Sequence, residues 1–207
     1  CQDPSLEGYT AWQCKLYRNW KRGAFLFFNG TAGMFKKHQS YCGKDNALCN
    51  EAAKTPWRLT RDAAEAAYDQ SSDCSFTSFV AYEWTGMGEK VANLHRNVIF
   101  GNAQVPELPV NSIDYPTDHA LWNGLDKACV NAGTGCDVLA IPHNSNLSGG
   151  LMFDGLDDEG SRYSAKQAAQ RARLEPLIEV MQHKGSSECF FDAGQTEDEL
   201  CAFEQLP

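Results

Sequence analysis

The sequence predicts an α/β fold, because short apolar runs typical of strands alternate with stretches of helical periodicity. Three runs are rich in β-branched or aromatic residues: residues 79–84, 97–100 and 137–142. A further strand is predicted at residues 177–181, whereas the apolar residues 24–28 fit either a strand or a buried helical turn. Four or five strands alternating with helices favour a βα-repeat architecture but are too few for a closed barrel.

The predicted helices are marked by capping residues and apolar stripes. Ser164 with Gln167, and Thr196 with Glu199, each form a capping-box pattern at the start of a helix. Residues 36–55 are expected to be a loop fastened by cysteines. The other helices are predicted at residues 11–21, 60–70 and 117–131, and the one that Ser164 opens is expected to end at Leu174.

The length of the chain is that of one domain. Its 207 residues can bury a hydrophobic core, so residues 1–207 are assigned to a single domain. The chain begins at Cys1 without a Met or a leader, and it stops at Pro207 directly after a helix-like stretch. We therefore expect an incomplete segment, whose partner would be the remaining part of the same polypeptide.

The net charge of −9 and the 43% hydrophobic composition describe an acidic globular chain. Nucleic-acid binding is not expected, because no Lys/Arg cluster is longer than Lys36-Lys37 and nucleic-acid binders normally carry a basic patch. No apolar run approaches the roughly 18–20 residues that span a bilayer, so no membrane span is predicted.

The nine cysteines are many for a cytosolic chain of this size, and eight of them fall in closely spaced pairs. Such spacing in turn-rich segments favours disulfides, and zinc binding is disfavoured because the sequence contains no Cys-x-x-Cys. Export to the periplasm or to the outside of the cell is therefore expected. Cys74 is left over, either as a buried thiol or paired outside this stretch. The expected pairs are Cys1 with Cys14, Cys42 with Cys49, Cys129 with Cys136, and Cys189 with Cys201.

Three side chains at the ends of predicted strands are candidates for a catalytic metal site. Glu83 lies at the end of the first strand, His95 just before the second, and His143 directly after the third. Carboxylates and imidazoles at strand ends are the ligands from which metal-hydrolase sites are built. The alternative for Glu83 is an ion pair with Arg96, and an ordinary hydrogen-bonded role is the alternative for His95. His119, in the first turn of a helix, is expected at the surface.

Several longer motifs together resemble a known family. EWTG, LHRNVIF, IPHNSN-LSGG-MF, EPLIEVMQHKGSSEC and TEDELCAFE are similar to DUF3604, a group related to the PHP (polymerase and histidinol phosphatase) metallophosphoesterases. The resemblance covers most of residues 73–204, whereas residues 1–60 match loosely. It implies part of a distorted (β/α)7 PHP-like barrel with two or three divalent metal ions, of Zn, Mn or Fe.

The resemblance also implies roles for individual residues. Glu83, His95 and His143 match the middle three ligands of the family pattern, whereas its opening His-x-His and closing Asp-x-His have no counterpart in this sequence. The expected activity is metal-assisted hydrolysis of a small phosphorylated or other anionic substrate by a metal-activated water. The candidate substrate-binding residues are Arg96, Asn144, Asn146 and Lys184, although a salt bridge or a packing role would also explain Arg96 and Lys184.

Two other functions remain compatible with the sequence. A secreted, disulfide-stapled binding or structural module could keep a PHP-like fold without turnover, and an incomplete ligand set agrees with that function. The second of these functions is a metal-dependent hydrolase that acts on something other than a phosphate ester. Metal content separates the module from both enzymes, and a substrate screen separates the two enzymes.

Overall fold

The fold combines helices with a small open sheet, as expected for an α/β chain. The computed structural model describes residues 1, 3–5, 7–35, 37–87, 92–145, 148–180 and 182, without the side chains of residues 7 and 25–35. Its main elements, in chain order, are helix α1 (Trp12–Phe35), helix α2 (Ala47–Ala67), strand β1 (Val80–Trp84), strand β2 (Arg96–Phe100), helix α3 (Asp118–Leu125), strand β3 (Val138–Pro142) and helix α4 (Ala165–Leu174). Short 3-10 turns precede α1 and α2, and a π-helical turn, Asp126–Val130, follows α3.

The three strands form an antiparallel sheet in the order β1-β2-β3. This pairing differs from the predicted βα-repeat, in which helices would connect parallel strands. Here β1 and β2 are consecutive in the chain with no helix in the described part of their connection, so they pair as antiparallel neighbours. The sheet is not closed, and the described residues show no seven-stranded barrel.

One face of the sheet is buried and the other is partly exposed. The register places Trp84 opposite Arg96, and Arg96 opposite Pro142, on the buried face. Glu83 and Asn97 lie opposite each other on the other face, where both side chains are exposed. Because side chains alternate between the two faces along a strand, the face that the helices cover is buried and the neighbouring residues on the other face are partly or fully exposed.

The core lies between the buried face of the sheet and helices α2, α3 and α4. Alternate strand residues meet apolar residues of the helices there, and burial of such side chains is the dominant favourable term in folding. The most buried large members are Val80, Trp84, Val98, Phe100, Leu121, Trp122, Leu125 and Leu174, each at most 1% exposed.

The N-terminal half is more helical than the sequence predicted. Residues 24–28 belong to α1 rather than to a strand, and α1 continues past a non-helical residue, Lys21. The prediction of a loop at residues 36–55 is wrong from residue 47 onward, because helix α2 begins at Ala47. The helix continues through Pro56. Residues 47–54 are mainly good helix formers, and tertiary packing of Trp57 keeps the helix continuous through the proline.

The predicted strand at 177–181 is not formed by residues 177–180, and residue 181 lies outside the description. The backbone N–H of Glu179 donates to the carbonyl of Pro142, at 3.1 Å. Leu177, Ile178 and Val180 are 55%, 55% and 66% exposed. The described apolar side chains that led to the strand prediction are therefore not buried. The Ser164–Gln167 capping box is confirmed at α4, whereas Thr196 and Glu199 fall outside the description.

A buried arginine connects the sheet to two helices. The guanidinium of Arg96, fully buried, donates to Asp118 at the start of α3 and to Glu175 just after α4, both at 3.0 Å. Glu175 also accepts from the Trp122 indole at 2.8 Å and from Arg171 at 3.1 Å. We call Arg96, Asp118, Glu175 and Arg171 the buried network.

Three of the four predicted disulfides are confirmed. They join Cys1 to Cys14, Cys42 to Cys49, and Cys129 to Cys136, and their presence is compatible with a secreted protein. Cys189 and Cys201 lie outside the described residues. Cys74 is exposed rather than buried, which corrects the first of its two predicted states. Within the described chain, no helix has both the length and the apolar character needed to cross a bilayer.

Replacing Arg96 by Met should destabilise the protein by about 3–5 kcal/mol, because Asp118 and Glu175 would lose their buried counter-charge. The free energy of unfolding measured in urea tests this. Arg58→Met is the matched control, since Arg58 pairs with Asp62 at the surface and such a pair contributes about 0.2–1 kcal/mol. Equal losses in the two variants would contradict the role given to the buried network.

Removing the Cys129–Cys136 disulfide by a double change to Ser should lower the free energy of unfolding by about 2–3 kcal/mol, as expected for a short closed loop. Cys74→Ser is the control, because that thiol is exposed and has no disulfide. A loss in the control as large as in the double variant would contradict this prediction.

Candidate functional site

The strand register brings Glu83, His95 and His143 together at one end of the sheet. His95 and His143 continue the β2–β3 pairing by one position beyond Arg96 and Pro142, and the His143 N–H donates to the His95 carbonyl at 3.1 Å. Because side chains alternate between the two faces of a strand, both histidines point away from the buried face and lie on the same side of the sheet as Glu83. One ligand atom from each of the three side chains lies within 4.8 Å of the others.

Glu83 and His95 are in direct contact. The Oε1 atom of Glu83 lies 2.7 Å from Nδ1 of His95, a hydrogen-bonding distance. The two imidazole rings, of His95 and His143, have centroids 5.9 Å apart. The side chain of Glu83 is 46% exposed, whereas those of the two histidines are 17% and 18% exposed. The group therefore forms a small site that is open to solvent on the carboxylate side.

His143 is held from behind by Glu179 and Gln182. The Gln182 amide nitrogen lies 3.0 Å from Nδ1 of His143 and also contacts Oε2 of Glu179. Glu179 Oε2 is 4.0 Å from the same Nδ1 and accepts from the backbone N–H of Asn144 at 3.2 Å. The other ring nitrogen of His143, Nε2, is buried and has no hydrogen-bond partner among the described residues. Nε2 is thus the nitrogen left to bind an ion.

Comparison with known proteins identifies the family of the chain. Residues 11–207 match the family described as "Protein of unknown function (DUF3604)". The chain belongs to the DUF3604 family. This confirms the family predicted from the motifs and extends the match toward the N-terminus. No curated protein and no solved structure matches the chain.

The predicted substrate-binding residues of this DUF3604 chain do not all lie at the site. Arg96 points into the core and pairs with Asp118 and Glu175, so the alternative salt-bridge role is the one that the structure supports. It faces away from Glu83 because the two residues occupy opposite faces of the sheet. Asn144 is buried beside the site, at 3% exposure. Asn146 and Lys184 lie outside the described residues.

Sequence reasoning missed Glu179, which contributes a carboxylate behind His143. The available signal was a carboxylate inside an apolar run, LIEVM, which is the same signal that selected Glu83 in FVAYEW. An acidic residue in such a run needs a polar partner or an ion, because an unpaired buried carboxylate is costly.

His119 is buried, at 6% exposure, which corrects its predicted surface position. Its ring packs between the rings of Trp122 and Tyr163, at centroid distances of 4.8 and 4.9 Å. His119 lies in the first turn of α3, on the side of the helix that faces the core. With Asp118 and Asp158 it forms a second group of ligand atoms that lie within 4.8 Å of one another.

The Glu83 group fits a divalent ion by its donor set and by its unpaired nitrogen. Two imidazoles and one carboxylate are a ligand set of catalytic zinc sites, which keep a further position open. Nitrogen and oxygen donors of this kind also bind iron and manganese. The exposed carboxylate of Glu83 leaves room for a water or a substrate on that side.

Proposed function

We propose that this protein is a metal-dependent hydrolase that acts on phosphate esters, with Glu83, His95 and His143 as ligands of a divalent ion. The observation that carries the proposal is the buried, unpartnered Nε2 of His143 within a group of two imidazoles and a carboxylate. A buried polar atom without a partner is costly, and an ion at this position would remove that cost.

The bound ion would supply Lewis-acid chemistry, lowering the pKa of a coordinated water toward neutrality and polarising a phosphoryl oxygen. The protein's own residues position the ligands. Glu83 and His95 now hydrogen-bond to each other, so they are already held close enough to share one ion. Glu179 and the backbone N–H of Asn144 fix the segment that carries His143. Such supporting contacts normally set ligand orientation and affinity.

The proton position on His143 defines the role of Glu179. As placed, the Gln182 amide nitrogen faces Nδ1, which requires the imidazole proton on Nε2. Binding an ion through Nε2 requires the opposite tautomer, with an Nδ1–H that a carboxylate can accept. Glu179 Oε2, 4.0 Å from Nδ1, is the nearby carboxylate that can do this.

The preference for phosphate esters is supported by the family resemblance to PHP phosphoesterases and not by a cation in the described site. Arg96 is unavailable because it is buried in the network, which leaves Asn144, Asn146 and Lys184 as the proposed substrate-binding residues. The (β/α)7 barrel that the resemblance implies would require strands beyond the three described. Three protein ligands support one ion, so further ions would need further ligands.

A disulfide-stapled binding or structural module is the second candidate. The Glu83–His95 hydrogen bond favours it, because these two side chains satisfy each other without an ion. Three disulfides agree with a secreted or periplasmic location for either candidate.

Changing His143 to Ala should abolish retention of one divalent ion and any metal-dependent hydrolysis of an aryl phosphate, because the nitrogen ligand is lost. Metal content after dialysis and aryl-phosphate turnover are the measurements. His38→Ala is the matched control, since His38 pairs with Asp114 at the surface. Wild-type protein that retains no ion at this site supports the module, and retention of metal and activity by His143→Ala refutes the site.

Changing Glu179 to Gln should lower metal affinity about 10–100-fold without unfolding the protein, because the acceptor for the Nδ1–H tautomer of His143 is lost. Changing Gln182 to Ala should not weaken binding, since its amide favours the non-ligating tautomer. Metal titration of the two variants tests the assignment. A larger loss in Gln182→Ala than in Glu179→Gln would reverse these roles.

A further inference from the structure

A second group of ligand atoms lies where helix α3 meets the 154–162 loop. Asp118 and His119 form the first turn of α3, and Asp158 comes from a turn of the loop. Thr117 caps the helix by accepting from the Ala120 N–H, and its hydroxyl donates to Asp158 Oδ2 at 3.0 Å. The loop is thus attached to the helix at the position where the three ligand atoms meet.

His119 is a buried imidazole without a hydrogen bond. Its side chain is 8% exposed, and Nε2 is buried with no partner among the described residues. Its Nδ1 lies 3.7 Å from Oδ1 of Asp158, which is too long for a hydrogen bond. Leaving a buried imidazole unpaired costs roughly 1–3 kcal/mol. Nδ1, the nitrogen that faces Asp158, therefore has no hydrogen bond to a described residue and is the atom available to an ion.

The 3.7 Å separation between His119 Nδ1 and Asp158 Oδ1 is close to that of two ligands on one ion. Ligands bound at about 2.0–2.2 Å in a tetrahedral arrangement lie roughly 3.3–3.6 Å apart. Glu83 and His95 differ in this respect, because at 2.7 Å they are close enough to share a proton.

Asp118 is oriented before any ion arrives. Its Oδ2 accepts from Arg96 at 3.0 Å, and its Oδ1 accepts from the backbone N–H of His119 at 2.9 Å. Each carboxylate oxygen has a second lone pair that can bind an ion. The two arginines of the buried network balance its two carboxylates, so Asp158 provides additional negative charge. The side chain of Asp158 is 44% exposed, which gives an ion access from solvent.

We infer that Asp118, His119 and Asp158 bind a second divalent ion that prefers nitrogen and oxygen ligands, such as Zn²⁺. This ion fastens the 154–162 loop to the start of α3 and is distinct from the ion proposed at Glu83, His95 and His143. The Zn²⁺ class fits better than Ca²⁺ or Mg²⁺, because Ca²⁺ and Mg²⁺ take oxygen ligands and the buried donor here is an imidazole nitrogen.

Titration of the full chain with Co²⁺, followed by its absorption spectrum and by metal analysis, tests this inference. Asp158→Asn and His119→Phe should each lose one bound ion relative to the wild type, or bind it at least about 100-fold more weakly. Phe keeps a ring between Trp122 and Tyr163 while removing both nitrogens. Glu159→Gln is the control, because Glu159 is an exposed neighbour of Asp158. Asp158→Asn covers the case in which His119→Phe fails to fold.

The outcomes separate this site from the proposed hydrolase site. Loss of one ion in Asp158→Asn, with His143→Ala losing a different one, supports both sites. Loss in Asp158→Asn with no ion lost in His143→Ala supports the second site and contradicts the proposed function. Equal Co²⁺ content in the wild type, Asp158→Asn and His119→Phe overturns the inference, and the contact between His119 and Asp158 is then a plain ion pair.

Discussion

The buried guanidinium of Arg96 is the interaction on which the rest of the described structure depends. It is fully buried at the start of β2, and its two carboxylate partners come from the beginning of α3 and from the end of α4. A buried charge is tolerated only when it is paired and hydrogen-bonded. The positions of the two helices on the sheet are therefore coupled to one side chain, and a shift of either helix would remove one of its two carboxylate partners.

Both candidate sites follow from the direction of Arg96. Because Arg96 faces the core, its neighbour His95 faces the opposite side of the sheet, where Glu83 and His143 also lie. Arg96 also binds Asp118 and thereby orients a carboxylate beside His119. The network is thus a shared support behind two groups of possible metal ligands, one on each side of β2.

Local sequence patterns predicted the three strands of the sheet, the α4 capping box and three disulfides, because each depends on residues close together in the chain. The proximity of Glu83, His95 and His143 was also predicted, since polar residues at strand ends are visible in a single sequence. The antiparallel pairing, the burial of His119 and the position of Glu179 beside His143 were missed. These depend on which strands become neighbours and on how the 154–162 loop and residues 175–180 pack, and such long-range contacts leave no local pattern.

The start of α2 was missed because Pro56 and the nearby cysteines suggested a loop, whereas packing of Trp57 maintains the helix.

The two ligand groups differ in what an ion must displace. At Glu83 and His95 an ion would replace a 2.7 Å hydrogen bond, so metal binding there competes with a contact that the protein already makes. At His119 and Asp158 the 3.7 Å separation contains no hydrogen bond, so an ion could bind between them without breaking one. The first arrangement suits an exchangeable, exposed catalytic position, because part of the binding energy is used to break the existing bond. The second suits a structural position, where the ion adds to the attachment that Thr117 already provides between the loop and α3.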